Sequence, residues 1–152
     1  MAMPRRVRVE FGEAFPMGVY AFADAVVQPA RDFDKSKPGA PVQAVDEDSG
    51  LPVWTLDVMD ADPEARKNAK AITVRIVAAT CPVLPDSVTG PVRAVEFEGL
   101  SASPYVADSP MGTGKGRLAW SFRATGLRAP SRGAGARQAG QSGGHGQKEQ
   151  AA

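Results

Sequence analysis

The acidic residues are the first candidates for chemistry, because residues 41–65 contain seven carboxylates and no basic side chain. A metal-dependent nuclease could use Asp57, Asp60, Asp62 and Glu64 as hard oxygen ligands for a divalent cation. In an extended strand, however, Asp57 and Asp60 point to opposite faces. Asp62 precedes a proline, which favours a role as a helix N-cap. The sequence therefore does not predict a metal centre here.

Two loops resemble ligand-binding motifs but lack residues that the chemistry of those motifs requires. A calcium loop over Asp46–Asp57 would need an oxygen ligand at its fifth position and glycine at its sixth, where the chain has Gly50 and Leu51. The sequence GTGKG at residues 112–116 resembles a phosphate-binding loop, but Gly116 follows the lysine where Ser or Thr would bind magnesium. We expect no cofactor.

Nucleophilic catalysis has few candidate residues. The one histidine, His145, lies among glycines near the C-terminus, where no rigid surroundings would orient it. The one cysteine, Cys81, has no basic neighbour to activate it and is better interpreted as a small buried apolar residue. We therefore predict that the protein is not an enzyme.

Basic residues dominate the rest of the chain: residues 66–152 contain twelve Lys and Arg against five Asp and Glu. Arg75, Arg117 and Arg123 occupy the outward phase of predicted strands, and Lys115 and Arg128 lie at the ends of the last one. Such a face could contact phosphates in a salt-dependent, sequence-independent way. We predict that these five residues bind nucleic acid, with an ordinary solvated face as the alternative.

The sequence DEDSG is typical of a hairpin tip between two strands. Its carboxylates, Asp46, Glu47 and Asp48, suggest an alternative function, in which the hairpin docks on a basic protein partner. The protein would then be an adaptor or a transcriptional co-regulator.

Alternation of apolar and polar residues predicts the elements that position these groups. It is clearest at residues 53–58, 72–76 and 117–123, where Trp54, Trp120 and Phe122 share the apolar phase and are expected in the core. Weaker strand candidates are residues 5–11, 19–28, 41–45, 92–97 and 103–107. One short helix is predicted at Asp62–Ala71. This pattern indicates an all-β fold: a small OB-like barrel or sandwich of antiparallel strands with at most one short helix.

The chain divides into a predicted domain at residues 1–128 and a tail at residues 129–152. The tail has no Leu, Ile, Val, Met or aromatic residue, so we expect it to be flexible. No apolar run approaches the roughly 20 residues that span a bilayer, and no secretory signal is recognisable. We expect a cytoplasmic protein without a membrane partner.

Several dispersed phrases carry a family resemblance: FGEAFPMGVYAFADAVVQPARDFD, VQAVDEDSGLPVWTLDVMDADPEARK, ITVRI, VRAVEFEGLSASPYV and GRLAWSFRATGLRAP. Together they resemble the plasmid replication, integration and excision activators of actinomycete integrative and conjugative elements, over most of residues 11–130. The resemblance implies an accessory protein that promotes replication of the element, and thereby excision and transfer, alongside element-encoded replication or recombination proteins. It brings no catalytic residues.

The predicted architecture also resembles OB-like single-strand-binding accessories of other mobile elements. With the basic face, this favours binding of single-stranded or forked DNA.

Overall fold

The computed structural model describes residues 2–108 and 114–131. Strand accounts for 45% of the described chain and helix for 6%, which confirms the predicted all-β class. Within this part of the chain no helix has the length and apolar character needed to cross a membrane.

The described chain forms ten strands and two single-turn helices. The strands are β1 (Val7–Arg8), β2 (Val19–Phe22), β3 (Gln28–Pro29), β4 (Val53–Asp60), β5 (Ala71–Val77), β6 (Val88–Thr89), β7 (Val92–Glu98), β8 (Ser101–Ala107), β9 (Arg117–Ala124) and β10 (Gly126–Arg128). The helices are α1 (Phe11–Ala14) and α2 (Lys67–Lys70).

One sheet contains all the strands, in the order β1-β8-β9-β5-β4-β2-β7-β10, with β3 beside β4 and β6 beside β7. Neighbouring strands are antiparallel except for β5 and β9, whose parallel register aligns Val74 with Phe122 and Ile76 with Ala124. This pair departs from the predicted antiparallel arrangement because the chain crosses the sheet between β5 and β9.

β7 and β8 are two halves of one bent strand. Residues 101–107 pair with β9, residues 96–98 pair with β10, and the register runs through the bend without a slip. Gly99 makes the bend with a φ of +60°, a conformation that L side chains rarely adopt. Because β7 also pairs with β2, the bent strand connects the two sides of the sheet. The sheet therefore curls into a half-barrel, so of the predicted barrel and sandwich the structure has the barrel-like form.

The core lies inside this curl and follows the predicted alternation. Leu56 and Val58 of β4 pack with Val74 and Ile76 of β5, and each is at most 2% exposed. Burial of such side chains stabilises the fold by about 1.5–3 kcal/mol each. Cys81, interpreted from the sequence as a small buried residue, is instead exposed.

Two of the aromatic side chains predicted in the core pack against it from its margin. Trp54 is partly buried, and its Nε1 donates to the carbonyl oxygen of Ala78 at 3.0 Å. Phe122 packs on Phe15 with ring centroids 5.1 Å apart. Both positions agree with the expected apolar phase.

The predicted helix at Asp62–Ala71 is too long. Helix α2 covers Lys67–Lys70 alone, and Ala71 already belongs to β5. The Oδ1 of Asp62 accepts a hydrogen bond from the Glu64 backbone at 2.9 Å, so Asp62 caps the turn that precedes the helix instead of the helix itself. Residues 41–45 form isolated bridges in place of the predicted strand.

Candidate nucleic-acid interface

Two of the predicted arginines are neighbours on the outer face of the sheet. Arg75 of β5 lies directly beside Arg123 of β9 in the parallel register. The Arg75 side chain is exposed, whereas the Arg123 side chain is only 28% exposed and pairs with the carboxylate of Asp46. Arg117, at the start of β9, and Lys115, two residues earlier, are both exposed.

Asp46 is held at the base of the hairpin tip in two ways. Its Oδ2 accepts hydrogen bonds from the Ser49 backbone at 3.0 Å and the Ser49 hydroxyl at 2.8 Å, while its Oδ1 pairs with Arg123. The Ser49 hydroxyl is the largest cause of a lowered pKa for Asp46; burial opposes it, and the Arg123 charge adds to it. Glu47 and Asp48 are exposed at the tip.

Arg6 joins the same surface and was not among the predicted residues. Strand β1 pairs with the start of β8, and the Ser103 hydroxyl donates to the carbonyl oxygen of Arg5 at 2.5 Å, which fixes the segment carrying Arg6. Burial lowers the pKa of Arg6, and the charges of Arg123 and Arg75 lower it further, against an opposing effect of Asp46. The basic, alternating sequence RRVRV was the available signal.

Arg128 lies apart from these cations. It belongs to β10, beyond the bend, where its guanidinium contacts Glu96 at 2.7 Å and Glu98 at 3.9 Å. Burial raises the pKa of Glu96, but hydrogen bonds from Arg128 and the Ser131 backbone outweigh it, so the net shift is downward. Carboxylates therefore interrupt the expected continuous cationic face at Arg123 and at Arg128.

The far ends of β8 and β9 project beyond their neighbours in the sheet. β5 pairs with residues 122–124 of β9, and β1 pairs with residues 101–102 of β8. Residues 103–107 and 117–121, here called the β8–β9 arm, therefore pair with each other and extend past both neighbouring strands.

Apolar side chains on this arm are exposed. Trp120 is 50% exposed and Leu118 is 65% exposed, although both share the phase of the buried Ala124. The prediction that Trp120 belongs to the core is wrong, because the arm extends past the layer that would cover it. Tyr105, opposite Ala119 on the other face of the arm, is also half exposed.

A groove of about 610 Å³ separates the arm from β5 and α2. Its lining combines Trp120 and Leu118 with Ile72, and two basic side chains, Arg66 and Arg117, belong to the same surface. One carboxylate, Asp60, also lines it. The lining of the groove thus includes one large aromatic side chain and two cations, of which Arg117 has the opposite phase of β9 from Trp120.

This arrangement is chemically suited to binding. An exposed aromatic face can stack on an unpaired base for about 1–3 kcal/mol, and flanking cations can contact the backbone phosphates. No group of three His, Cys, Asp or Glu side chains that could hold a metal occurs within residues 2–108 and 114–131. The first two residues of the GTGKG loop and residues 132–152 of the predicted tail, which include His145, lie outside the described residues.

No protein-family model, curated protein or solved structure significantly matches this chain.

Proposed function

We propose that the protein is a non-enzymatic factor that binds single-stranded or forked DNA in the groove beside the β8–β9 arm. The observation that carries this proposal is the half-exposed Trp120, in a groove that Arg66 and Arg117 also line. A barrel-like β fold with stacking aromatics and a basic groove is a common solution for single-strand binding.

Unpaired bases suit this groove better than a duplex does. Stacking on Trp120 requires a base whose face is accessible, which a paired and stacked base does not offer. Reading a duplex in its major groove would require hydrogen-bonding side chains on a helix or ribbon. The exposed side chains in the Trp120 phase of the arm are Leu118 and its cross-strand partner Val106, and neither makes hydrogen bonds to base edges.

We further propose, from the sequence resemblance, that this binding serves the replication and excision of a plasmid or integrative element. Replication and recombination proteins of the element are then the expected partners. Deletion of the gene from such an element should lower its copy number and excision frequency, and wild-type protein supplied in trans should restore both. Restoration to the same level by a Trp120→Ser protein that cannot bind DNA would contradict the proposed link.

A fluorescence titration tests the binding itself. The chain has two tryptophans, so Trp54→Phe leaves Trp120 as the single tryptophan reporter. Titration with an oligothymidylate should quench its emission, and the affinity should fall as salt rises because counterions are released from the strand. A duplex of equal length should bind more weakly.

The matched substitutions in the wild-type background are Trp120→Ser and Phe33→Ser. Phe33 is also an exposed aromatic, but it does not line the groove. Trp120→Ser should weaken oligothymidylate binding at least about fivefold, the loss of one stacked base. Phe33→Ser should change the affinity for the oligothymidylate by less than about twofold, because substitutions at exposed positions outside a site usually have small effects. Equal effects of the two substitutions, or binding that salt does not change, would refute the proposal.

A further inference from the structure

Three arginines gather around one carboxylate on the outer face of the sheet. Arg75 and Arg123 are cross-strand neighbours, Arg6 is close enough for their charges to affect it, and Asp46 pairs with Arg123. The Asp46 side chain is only 10% exposed, so water screens this pair less than a surface pair. The cluster keeps an excess of positive charge.

A pocket of about 570 Å³ opens between this cluster and the bend in the β7–β8 strand. Arg6 and Arg123 line it together with Asp46, Asp48 and Ser101. Two guanidinium nitrogens, Nη1 of Arg6 and Nε of Arg123, are buried and have no hydrogen-bond acceptor among the described residues. Buried donors without acceptors are unfavourable. Both belong to side chains that line the pocket, so a ligand that brings several acceptor oxygens would satisfy them once the two guanidinium groups turn toward it.

A phosphate group has the required chemistry. It carries negative charge and several acceptor oxygens, and guanidinium groups bind it through paired, charge-assisted hydrogen bonds. A carboxylate ligand would supply fewer oxygens to the same donors. The two buried donors therefore favour phosphate over a carboxylate. The charges of the lining balance, with Arg6 and Arg123 against Asp46 and Asp48, and Arg75, beside Arg123 but outside the lining, adds one positive charge at the margin of the pocket.

We propose that Arg6, Arg75 and Arg123 form a subsite for a phosphate group, and that the carboxylate of Asp46 competes with this phosphate for Arg123. The inference rests on the proposed function in taking a nucleic-acid backbone as the source of the phosphate. Asp46 is then an internal competitor, held in position by Ser49.

Such a competitor would favour polyanions over small anions. A single phosphate ion must displace the Asp46 carboxylate using only its contacts in this pocket. Trp120 and Arg123 have opposite phases in β9, so a strand must pass around the sheet to reach both sites. A strand that is held at Trp120 and makes this passage brings its phosphate to Arg123 at a raised effective concentration, which helps it to displace Asp46. The protein should therefore bind an oligonucleotide more tightly than inorganic phosphate.

The decisive comparison is Asp46→Asn against Asp48→Asn. The amide oxygen introduced by Asp46→Asn can still accept the hydrogen bonds from Ser49, so the substitution removes the charge and keeps the turn. Asp48 lines the same pocket and lies in the same hairpin, but forms no salt bridge within the described residues, which makes Asp48→Asn the control for a general loss of negative charge. Both proteins should be checked for wild-type circular dichroism.

Affinity for an oligothymidylate should rise about three- to tenfold in Asp46→Asn, as expected for release of one partly buried ion pair. Asp48→Asn should raise it less than about twofold, as expected for an exposed charge. Arg6→Gln should lower the affinity for the oligothymidylate. This variant tests the subsite even if Asp46→Asn does not fold. Equal gains in the two Asn variants, or no change in both Asp46→Asn and Arg6→Gln, would overturn the proposal.

Inorganic phosphate separates this inference from the proposed function. Millimolar phosphate should raise the melting temperature of Asp46→Asn more than that of wild type, relative to chloride of equal ionic strength. If no variant binds the oligonucleotide but phosphate still stabilises Asp46→Asn, the DNA function fails and the subsite stands with free phosphate as its ligand. If the oligonucleotide binds through Trp120 while neither Asp46→Asn nor Arg6→Gln changes any affinity, the subsite alone fails.

Discussion

Arg75 and Arg123 lie side by side across the parallel pair of β5 and β9, and of these two arginines Arg123 is the one that forms a salt bridge with the carboxylate of Asp46. Like charges at neighbouring cross-strand positions repel each other and destabilise a sheet. Asp46 offsets this repulsion from one side and leaves the Arg75 guanidinium exposed. The two arginines therefore differ in surroundings: the Arg123 guanidinium has a carboxylate partner in the folded protein, whereas the Arg75 side chain is exposed.

This difference predicts unequal effects of substitution on stability. Arg123→Gln removes the charged partner of the nearly buried Asp46 carboxylate and should lower the free energy of unfolding by about 1–2 kcal/mol. Arg75→Gln changes an exposed side chain and should stay within about 0.5 kcal/mol of wild type. Urea denaturation at neutral pH measures both. Equal destabilisation by the two variants would contradict a structural role specific to Arg123.

The lowered pKa of Asp46 predicts a stability change in acid. Because the folded state favours the charged carboxylate, Asp46 stabilises the fold fully above its unfolded pKa of about 4. That contribution is lost as pH falls through the lower folded pKa. Free energies of unfolding from pH 7 down to pH 2 should therefore differ most between wild type and Asp46→Asn at neutral pH. The difference should begin to shrink near about pH 4 and vanish only below the lowered folded pKa.

Glu96 should show the same dependence, because its net pKa shift is also downward. Glu96→Gln is thus the parallel variant. A difference between wild type and Asp46→Asn that stays constant down to pH 2 would show that the Asp46 charge does not stabilise the fold.

The bend at Gly99 predicts that this position does not tolerate a side chain. At a φ of +60°, a Cβ on residue 99 would lie 2.3 Å from the Thr125 hydroxyl oxygen, so Gly99→Ala combines backbone strain with a steric clash. We expect a loss of about 1–3 kcal/mol in the free energy of unfolding. Gly12→Ala is the control, because a Cβ there meets no atom within 4 Å. It should be neutral or slightly stabilising in α1, and a similar loss in both variants would contradict the importance of the bend.

The local pattern was sufficient to predict the long strands β4 and β5 and their inner faces, although residues 41–45 form only isolated bridges. In β4 and β5, alternation identified Leu56, Val74 and Ile76 as inward, and the structure buries all three. Alternation assigns a side chain to a face, but it does not reveal whether another layer covers that face. Trp120 was therefore predicted in the core, although its part of β9 extends past the neighbouring strand β5.

Ion pairs between distant segments could not be predicted from the alternation of apolar and polar residues. The outward phase of Arg123 was predicted, but its partner Asp46 lies 77 residues away in the sequence, and Glu96 lies 32 residues from Arg128. These contacts depend on how the strands align and on where the hairpin folds, which local periodicity does not specify. The predicted nucleic-acid roles of the five basic residues stay predictions. Arg123 and Arg128 already pair with carboxylates, so we expect them to contribute less to DNA binding than the exposed Arg75, Lys115 and Arg117.

That ranking can be measured as a salt dependence. Arg117 is exposed and lines the groove, whereas the Arg128 guanidinium already pairs with Glu96 and Glu98 on the far side of the bend. If Arg117 contacts one phosphate of a single strand, Arg117→Gln should reduce the slope of log affinity against log salt by about 0.7. Arg128→Gln should leave the slope of the wild-type protein unchanged. A reduction by Arg128→Gln with none by Arg117→Gln would move the binding surface from the β8–β9 arm to β10 and exclude the groove as the DNA site.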